Sequence, residues 1–543
     1  MKIRIQLTRI LMSFLFCMSI GLAQTTITVE GELTADATWS SENTYYLNNQ
    51  LFVKDGVTLT IEAGTEILGR YDANYSADNP APCLVVEQGG KVMAEGTADA
   101  PITFRSELDS NHANYGNGRG LWGGIIVNGY APISTTGGTN TVEGLTGVIY
   151  GGNDPEDNSG VLRYVRVWNG GSSIAPDNEI NGITLAGVGR ATTVEFCEVG
   201  LNLDDGFEMF GGTVDLKYCS VIAVGDDAFD TDQGYQGRGQ FLLVVRADDS
   251  DKAHEMDNKT NGDLDSSPRS FPSFSNVTVI SAPSHGEDAL RLREGTGGDF
   301  RNYIIHGAND GVRNDDNGSE LVTQDLAAAV AHGYPDYLYI SSSIIMNGLA
   351  GDPWDDFDEA TDGTWTGDYV MESAGLSMTV DADGLPEATN LMPMINGPAY
   401  QGVDDVIEDD FFVQADHKGA FGDVNWLEGW SWLDVSGLLN IEDNIASIIS
   451  DRITLHGNYP NPFNPSTDIS FNIGQDYKSV QMTVFNMVGQ TVYEVNIPKL
   501  NAGYHAIKWE GIDQNGASVP SGLYLYRIST KTQSVIGKMT LLK

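Results

Sequence analysis

Cysteine, basic residues and long apolar runs are all scarce in this 543-residue chain, and each scarcity closes off a class of protein. Of its four cysteines, Cys17 falls in an N-terminal leader, which leaves Cys83, Cys197 and Cys219. An odd, sparse set excludes a disulfide scaffold, so stability has to come from burial and hydrogen bonding. Basic charge is short too, with 30 Lys and Arg against 75 Asp and Glu. A field of that sign repels nucleic acid and anionic lipid. It suits divalent cations, neutral glycans or basic partners, and it also serves plain solubility. Beyond Leu22 no stretch is apolar for the roughly 20 residues a bilayer span requires, so no transmembrane anchor is expected in the mature chain. Helical periodicity is nearly absent, and no nucleophile elbow, phosphate loop or zinc motif occurs.

What is present begins with an export signal. Lys2, Arg4 and Arg9 precede an apolar run from Ile10 to Leu22 that ends at Ala23, the pattern of a secretory signal peptide over 1–23. The 63 glycines and the many Asp and Asn residues suit a chain with frequent turns. Charge is unevenly placed. Residues 453–543 hold seven basic and five acidic residues, whereas the part between the leader and residue 453 holds 20 basic and 70 acidic.

An internal repeat organises the middle of the chain. Val194-Glu-Phe-Cys-Glu-Val199 returns 22 residues later as Leu216-Lys-Tyr-Cys-Ser-Val221, and Asp204-Asp205-Gly206-Phe207 returns as Asp226-Asp227-Ala228-Phe229. The same apolar frame reads Leu162/Val165/Val167, Phe274/Val277/Val279 and Phe300/Tyr303/Ile305, with a weaker copy at Ile340/Ser343/Ile345. A repeat of this length with two or three short strands predicts one coil of a right-handed parallel β-helix, an all-β solenoid. Cys197 and Cys219 then stack inside as small apolar fillers. Asn276 and Asn302 fall at the turn between two faces, with their amides bonding backbone of neighbouring coils. Alternating runs at Thr58–Thr65, Cys83–Gly90 and Leu121–Val127 extend the solenoid toward the N-terminus. Thr25–Tyr46 is expected to cap its start, and Trp426, Trp430 and Trp432 its end. The body is therefore placed at 24–437, with residues 320–425 as irregular excursions, followed by a linker at 438–452.

From Leu455 onward several motifs occur in order: Asn458-Tyr-Pro-Asn-Pro-Phe-Asn-Pro-Ser-Thr467, Val480–Gly489, Ala502-Gly503-Tyr504, Trp509, Ser521-Gly522-Leu523-Tyr524 and Lys538-Met539. Residues 453–543 thus resemble the type A C-terminal sorting domain of proteins exported by the type IX secretion system, an Ig-like β-sandwich. Strand and turn signals alone agree with a seven-stranded sandwich. The resemblance implies export through the periplasm to the cell surface or medium, with the type IX machinery as partner. Gly503, Gly522, Tyr524 and Lys538 match recurrent positions of that family, where they also serve as turn glycines, a core aromatic and a solvated lysine. The body resembles a group of bacterial surface proteins with a pectin-lyase-like β-helix, through Asp177–Leu185, Asp204–Gly212 and Ser275–Val279.

The strongest chemical constellation is the stacked acid pairs, with Asp204 over Asp226 and Asp205 over Asp227, followed by Glu208 and Asp230. Three readings stay open. An aspartate recurs where a tight turn recurs. Oxygen ligands brought together suit calcium, with Asp204, Asp205, Asp226, Asp227 and Asp230 as candidates. Catalysis is the third: Asp205, Asp226-Asp227, His285-Gly286 and Arg313 are similar to the order in polygalacturonases, where two carboxylates act as acid and base. Against it, 58 residues separate Asp227 from His285, and Arg313 is followed by Asn314-Asp315, without that family's lysine. A pectate-lyase-type reaction instead needs calcium and an arginine, and Arg291, Arg293 and Arg313 compete for that role. His254-Glu255-Met256-Asp257 is a further metal candidate, although its spacing fits a surface loop better. The sequence favours a structural, adhesive or glycan-binding surface protein over a polysaccharide hydrolase or lyase.

Overall fold

The computed structural model describes residues 25–439 and 453–543, apart from 77, 109–117, 143–144, 146, 173–179, 259–262, 316–321, 358–364, 382–383, 408, 474–476, 502 and 532–533. The leader, most of the linker and Asp177 lie outside the described residues. Among the described residues no helix is long and apolar enough to cross a membrane.

Twenty-seven strands between Thr25 and Asp355 form one continuous parallel β-helix. Each coil contributes a strand to three stacks. The first stack includes Ile125–Asn128, Ile183–Ala186, Phe207–Phe210, Phe229–Asp232, His254–Met256, Leu290–Arg293 and Val312–Asp315. The second and third stacks are separated by a single residue, so one strand such as Thr193–Gly200 serves both. On the six central coils that residue has positive φ: Tyr164, Phe196, Tyr218, Phe241, Asn276 and Asn302 lie between 48° and 59°. Its side chain is thrown outward, while the residue two before it and the one after it point in. The inward positions Leu162/Val165/Val167, Val194/Cys197/Val199 and Leu216/Cys219/Val221 then stack in register and are buried. Cys197 and Cys219 are free thiols on neighbouring rungs, as the repeat predicts.

Four expectations need correction. A coil is missing from the sequence frame: Gly239/Leu242/Val244 sits between the Leu216 and Phe274 rungs. Glycine holds the first place because the Phe274 ring fills it, 2.6 Å from where a Cβ would stand. In the last copy Ile344 and Met346 face inward while Ile345 packs outside, because one extra residue lengthens that corner. Thr25–Leu33 does not cap the start but forms the first rung, paired in parallel with Asn43–Val53. The C-terminal end is closed by Trp354, Phe357, Trp365 and Tyr369, with the Phe357 and Trp365 rings stacked at 4.7 Å.

Trp426, Trp430 and Trp432 belong instead to a return segment that runs back along the outer face of the third stack. There they bury Trp168, Leu201, Ile222, Leu243 and Ile280 in a second apolar cluster. Polar bonds fix its end: Arg166 Nη1 donates to Trp430 O (2.8 Å), and Trp432 N donates to Glu198 Oε1 (2.7 Å). Glu198 also accepts from Trp168 Nε1 and Ser220 Oγ, and burial pushes it up to about 7. The C-terminal unit is a sandwich of a three-stranded sheet, Ile453–Tyr459, Thr467–Ile473 and Gly503–Trp509, on a four-stranded one. The latter contains Val480–Asn486, Thr491–Ile497, Gly522–Ser529 and Ser534–Leu541, and Trp509, Tyr526 and Met539 fill the core between the two.

Candidate functional site

The turn that enters each strand of the first stack carries one position repeated from coil to coil: Asn181, Asp205, Asp227, Lys252, Asp288 and Asp310. Two backbone bonds pin this corner between successive coils, Gly182 N to Asp205 O and Gly206 N to Asp227 O, both 2.9 Å. The aspartate side chains add a third bond. Asp205 Oδ1 accepts from Asp227 N (3.0 Å), Asp227 Oδ1 from Lys252 N (2.6 Å) and Asp310 Oδ1 from Asp352 N (2.5 Å). Part of the recurrence of Asp is therefore structural, and the bond reaches the next coil rather than closing its own turn.

Beside this corner the outward residues of the first stack form a second ladder, Glu208, Asp230 and Glu255, with Arg291 next in line. Together the two ladders line a cleft of about 360 Å³ that gathers eight carboxylates, those of Asp204, Asp205, Glu208, Asp226, Asp227, Asp230, Asp251 and Glu255. Only Lys252 and Arg293 oppose them there. Both cations are engaged at one end. Lys252 Nζ lies 2.5 Å from Asp251 and 3.7 Å from Glu255, and Arg293 bonds Glu255 and Asp257. Burial pushes the Asp205, Asp227 and Asp230 carboxyls well above the usual aspartate range. Like charge adds to this: Asp230 acts on Asp205, Glu255 and Asp226 on Asp227, and Glu208 and Glu255 on Asp230. Burial works against the Lys252 ammonium, but Asp227 and Asp251 outweigh it and raise its pKa.

Three overlapping groups bring carboxylate oxygens within 4.8 Å of one another: Asp204/Asp205/Asp226, Asp205/Glu208/Asp230 and Asp226/Asp227/Asp251. Within them Asp230 Oδ1 and Asp251 Oδ1 are buried and accept no hydrogen bond. An all-oxygen set with uncommitted acceptors fits a hard divalent cation such as Ca²⁺. All five sequence candidates for calcium lie in this cleft, joined by Glu208, Asp251 and Glu255. Asp251, Lys252 and Glu255 escape the 22-residue frame because an extra stretch separates their coil from the Asp227 coil.

The remaining candidates lie elsewhere. His285 is buried, with Nε2 3.0 Å from Ser250 O and Nδ1 accepting from Glu287 N at 3.2 Å. Burial and then Arg246 bring it down to about 4, so the ring is a neutral brace with both nitrogens committed to backbone. Arg313 pairs with Asp355 and Asp356 at the far end of the stack, and Arg291 with Asp288. Gly286 lines a neighbouring cavity with Asp204, Asp226 and Asp251, so of the polygalacturonase order it is Arg313 that stands apart from the acids. His254 and Glu255 cannot share a metal, since successive strand residues face opposite sides. His254 points into the core between Phe229 and Phe274, and burial lowers it to about 3. In the sandwich, Gly503 and Gly522 open strands and Lys538 is exposed on the last one. The Tyr524 ring packs edge-on against Trp509, and its hydroxyl donates to Pro520 O at 2.7 Å.

Comparison with known proteins agrees with this architecture. Residues 461–534 match the FlgD Ig-like domain. No curated protein matches the chain. Among solved structures, dimeric latent PorU from Porphyromonas gingivalis is 20% identical over 18% of this chain and 10% of its own, with a TM-score of 0.16. PorZ, a surface component of the type IX secretion system of the same organism, is 17% identical over 16% of this chain and 11% of its own, at 0.13. Tailspike protein 2 of bacteriophage CBA120 is 9% identical over 91% of this chain and 72% of its own, at 0.19. The chain spans about a tenth of the length of the two Porphyromonas proteins, and at these scores their activities and partners do not transfer to it. The body is another matter: residues 31–334, more than half of the chain, match the pectate-lyase-like β-helix domain, and the protein belongs to that family.

Proposed function

We propose that this is an exported surface β-helix protein whose acidic cleft binds calcium and, through the ion, an anionic glycan or surface ligand. One observation carries the reading. Eight carboxylates share a cleft with two cations that are already paired, so at neutral pH either protons or a divalent ion must offset their repulsion. A hydrolase is less well supported. Both ring nitrogens of His285 are committed to backbone, and Arg313 is paired with Asp355 and Asp356 at the far end of the stack. The test is the melting temperature of the mature protein in millimolar calcium and in chelator. A rise of several degrees is expected, and it should be largely lost in Asp226→Asn, which belongs to two of the three oxygen groups. An unchanged melting temperature would remove calcium from the account.

The same proposal assigns export to the type IX route, with the leader for the inner membrane and residues 453–543 as the sorting address. Support comes from the ordered motifs around Gly503, Gly522, Tyr524 and Lys538 and from the sandwich they build. In a host with the type IX system, removing 453–543 should leave the protein in the periplasm. Surface delivery of the truncated chain would refute the assignment.

A further inference from the structure

The return segment meets the β-helix in two unlike ways. Around residues 420–433 it buries apolar side chains, with Ala420, Phe421, Leu427, Trp430, Trp432 and Leu433 all in the flank cluster. Among the described residues, none of 401–419 belongs to that cluster. This stretch is held by polar side chains of the body that address its main chain.

Gln240 donates from Nε2 to Val413 O (2.7 Å) and accepts from Val413 N at Oε1 (2.9 Å). Asn302 repeats the two-point grip on Asp404, donating to its carbonyl (3.0 Å) and accepting from its N–H (2.9 Å). Asn276 donates to His417 O, Lys217 to Phe411 O and Arg301 to Asp405 O, at 2.7–2.8 Å. A carboxamide that satisfies both backbone groups of one residue does what a neighbouring strand does, and it is indifferent to the side chain it holds. Selectivity enters through side chains at two places, one of them a bond from Ser341 Oγ to the Asp404 carboxylate. Arg238 Nη1 bonds Asp409 (2.9 Å) and Asp410 (3.0 Å), and the Phe411 ring lies 4.9 Å from the Arg238 guanidinium and 4.7 Å from Lys217 Nζ.

We propose that this flank is a binding groove for an extended acidic peptide, one with paired acids followed by phenylalanine, and that residues 404–407 and 409–417 occupy it in cis. The groove lies at the corner between the second and third stacks, on different residues from the acidic cleft, so it stands independently of calcium. Two properties make the occupant exchangeable. Its side chains add no member to the apolar flank cluster, its buried apolar contacts being Phe412 and the His417 ring on Phe241, and Val413 is 51% exposed even when docked. Segments held this way open at lower cost than core strands.

The test uses the full chain carrying Asp409→Asn, Asp410→Asn and Phe411→Ala, which weakens the cis occupant, and a fluorescent peptide of residues 403–418. Saturable binding at least tenfold tighter than to the wild type is expected, and it should disappear when Gln240→Ala and Asn302→Ala are added. Failure of the folded triple variant to bind the peptide overturns the proposal. Hydrogen exchange on the unmodified protein decides the matter should the variant not fold. The Asp404 and Val413 amides should exchange at least tenfold faster than that of Val244. Equal protection would make the segment a fixed wall and overturn the groove.

Discussion

Two corners of the same coil obey opposite rules. At the corner between the second and third stacks, the outward residue of each coil attracts its neighbours: Tyr164, Phe196, Tyr218 and Phe241 stack at 4.6–4.8 Å with nearly parallel rings. At the corner before the first stack, the repeated residue repels them, since Asp205 and Asp227 lie one above the other with Asp204 and Asp226 alongside. Both ladders follow from the parallel coil, which sets any repeated residue one strand spacing, about 4.8 Å, from its copy. The geometry is indifferent to sign. Rings gain from that spacing, and carboxylates lose by it unless something else is bound. A ladder that costs stability therefore marks a site more clearly than one that adds to it.

The contrast can be broken from either side. The largest effect is expected from Tyr218→Ala, which removes two ring stacks and an edge contact to Trp426 and should cost about 2 kcal/mol in denaturant unfolding. A neutral result would mean that the aromatic ladder is ornamental. Asp227→Asn should act in the other direction. The amide oxygen still accepts from Lys252 N, one of the stacked charges is gone, and in chelator the protein should gain up to about 1 kcal/mol. Loss of stability there would show that the carboxylate serves the turn alone.

The smallest effect is a change in slope with pH. A carboxyl whose folded pKa is raised stabilises fully below its unfolded value, roughly 3.9, and loses that contribution as pH rises through the folded value. Asp205, Asp227 and Asp230 therefore favour the folded state more at low pH. His254 and His285, held down to about 3 and about 4, do the reverse and cost stability as pH falls below their ordinary value. The informative quantity is the difference between wild type and Asp227→Asn, which leaves both histidines in place. In chelator the wild type should gain relative to the variant between pH 7 and pH 5, and calcium should flatten that gain.

Most of the solenoid was legible because its inward positions tolerate so little. Val165, Cys197 and Cys219 are interchangeable small apolar side chains at one station, and a 22-residue offset exposes the two cysteines. The coil through Gly239 was not legible, since a glycine stands where the frame expects a large apolar residue. That omission also hid Lys252, which occupies the aspartate station of the next coil, and made His254–Asp257 read as a surface loop where the structure has the strand His254–Met256. Six acids of the cleft lie within the two coils that repeat cleanly, and their stacking could be read directly. Arg293 reaches them through a strand pairing that no local pattern announces. The tryptophans near the end of the body read as a lid for the last coil because they follow it in sequence. Their partners, Glu198 and Arg166, lie more than two hundred residues earlier. The amides of Asn276 and Asn302 were placed at the right corner with the wrong partners, because the segment they hold arrives only at residues 404–417.

The attachment of Trp430 and Trp432 to Arg166 and Glu198 has a mechanical consequence. Whatever pulls on the chain beyond residue 439 does not peel the terminal rung away from the one beneath it. Tension enters halfway along the body and is spread sideways over a buried apolar seam and several hydrogen bonds that must slip together. A tether fastened in that manner resists shear, so the chain can be held by its tail without unwinding from its tip.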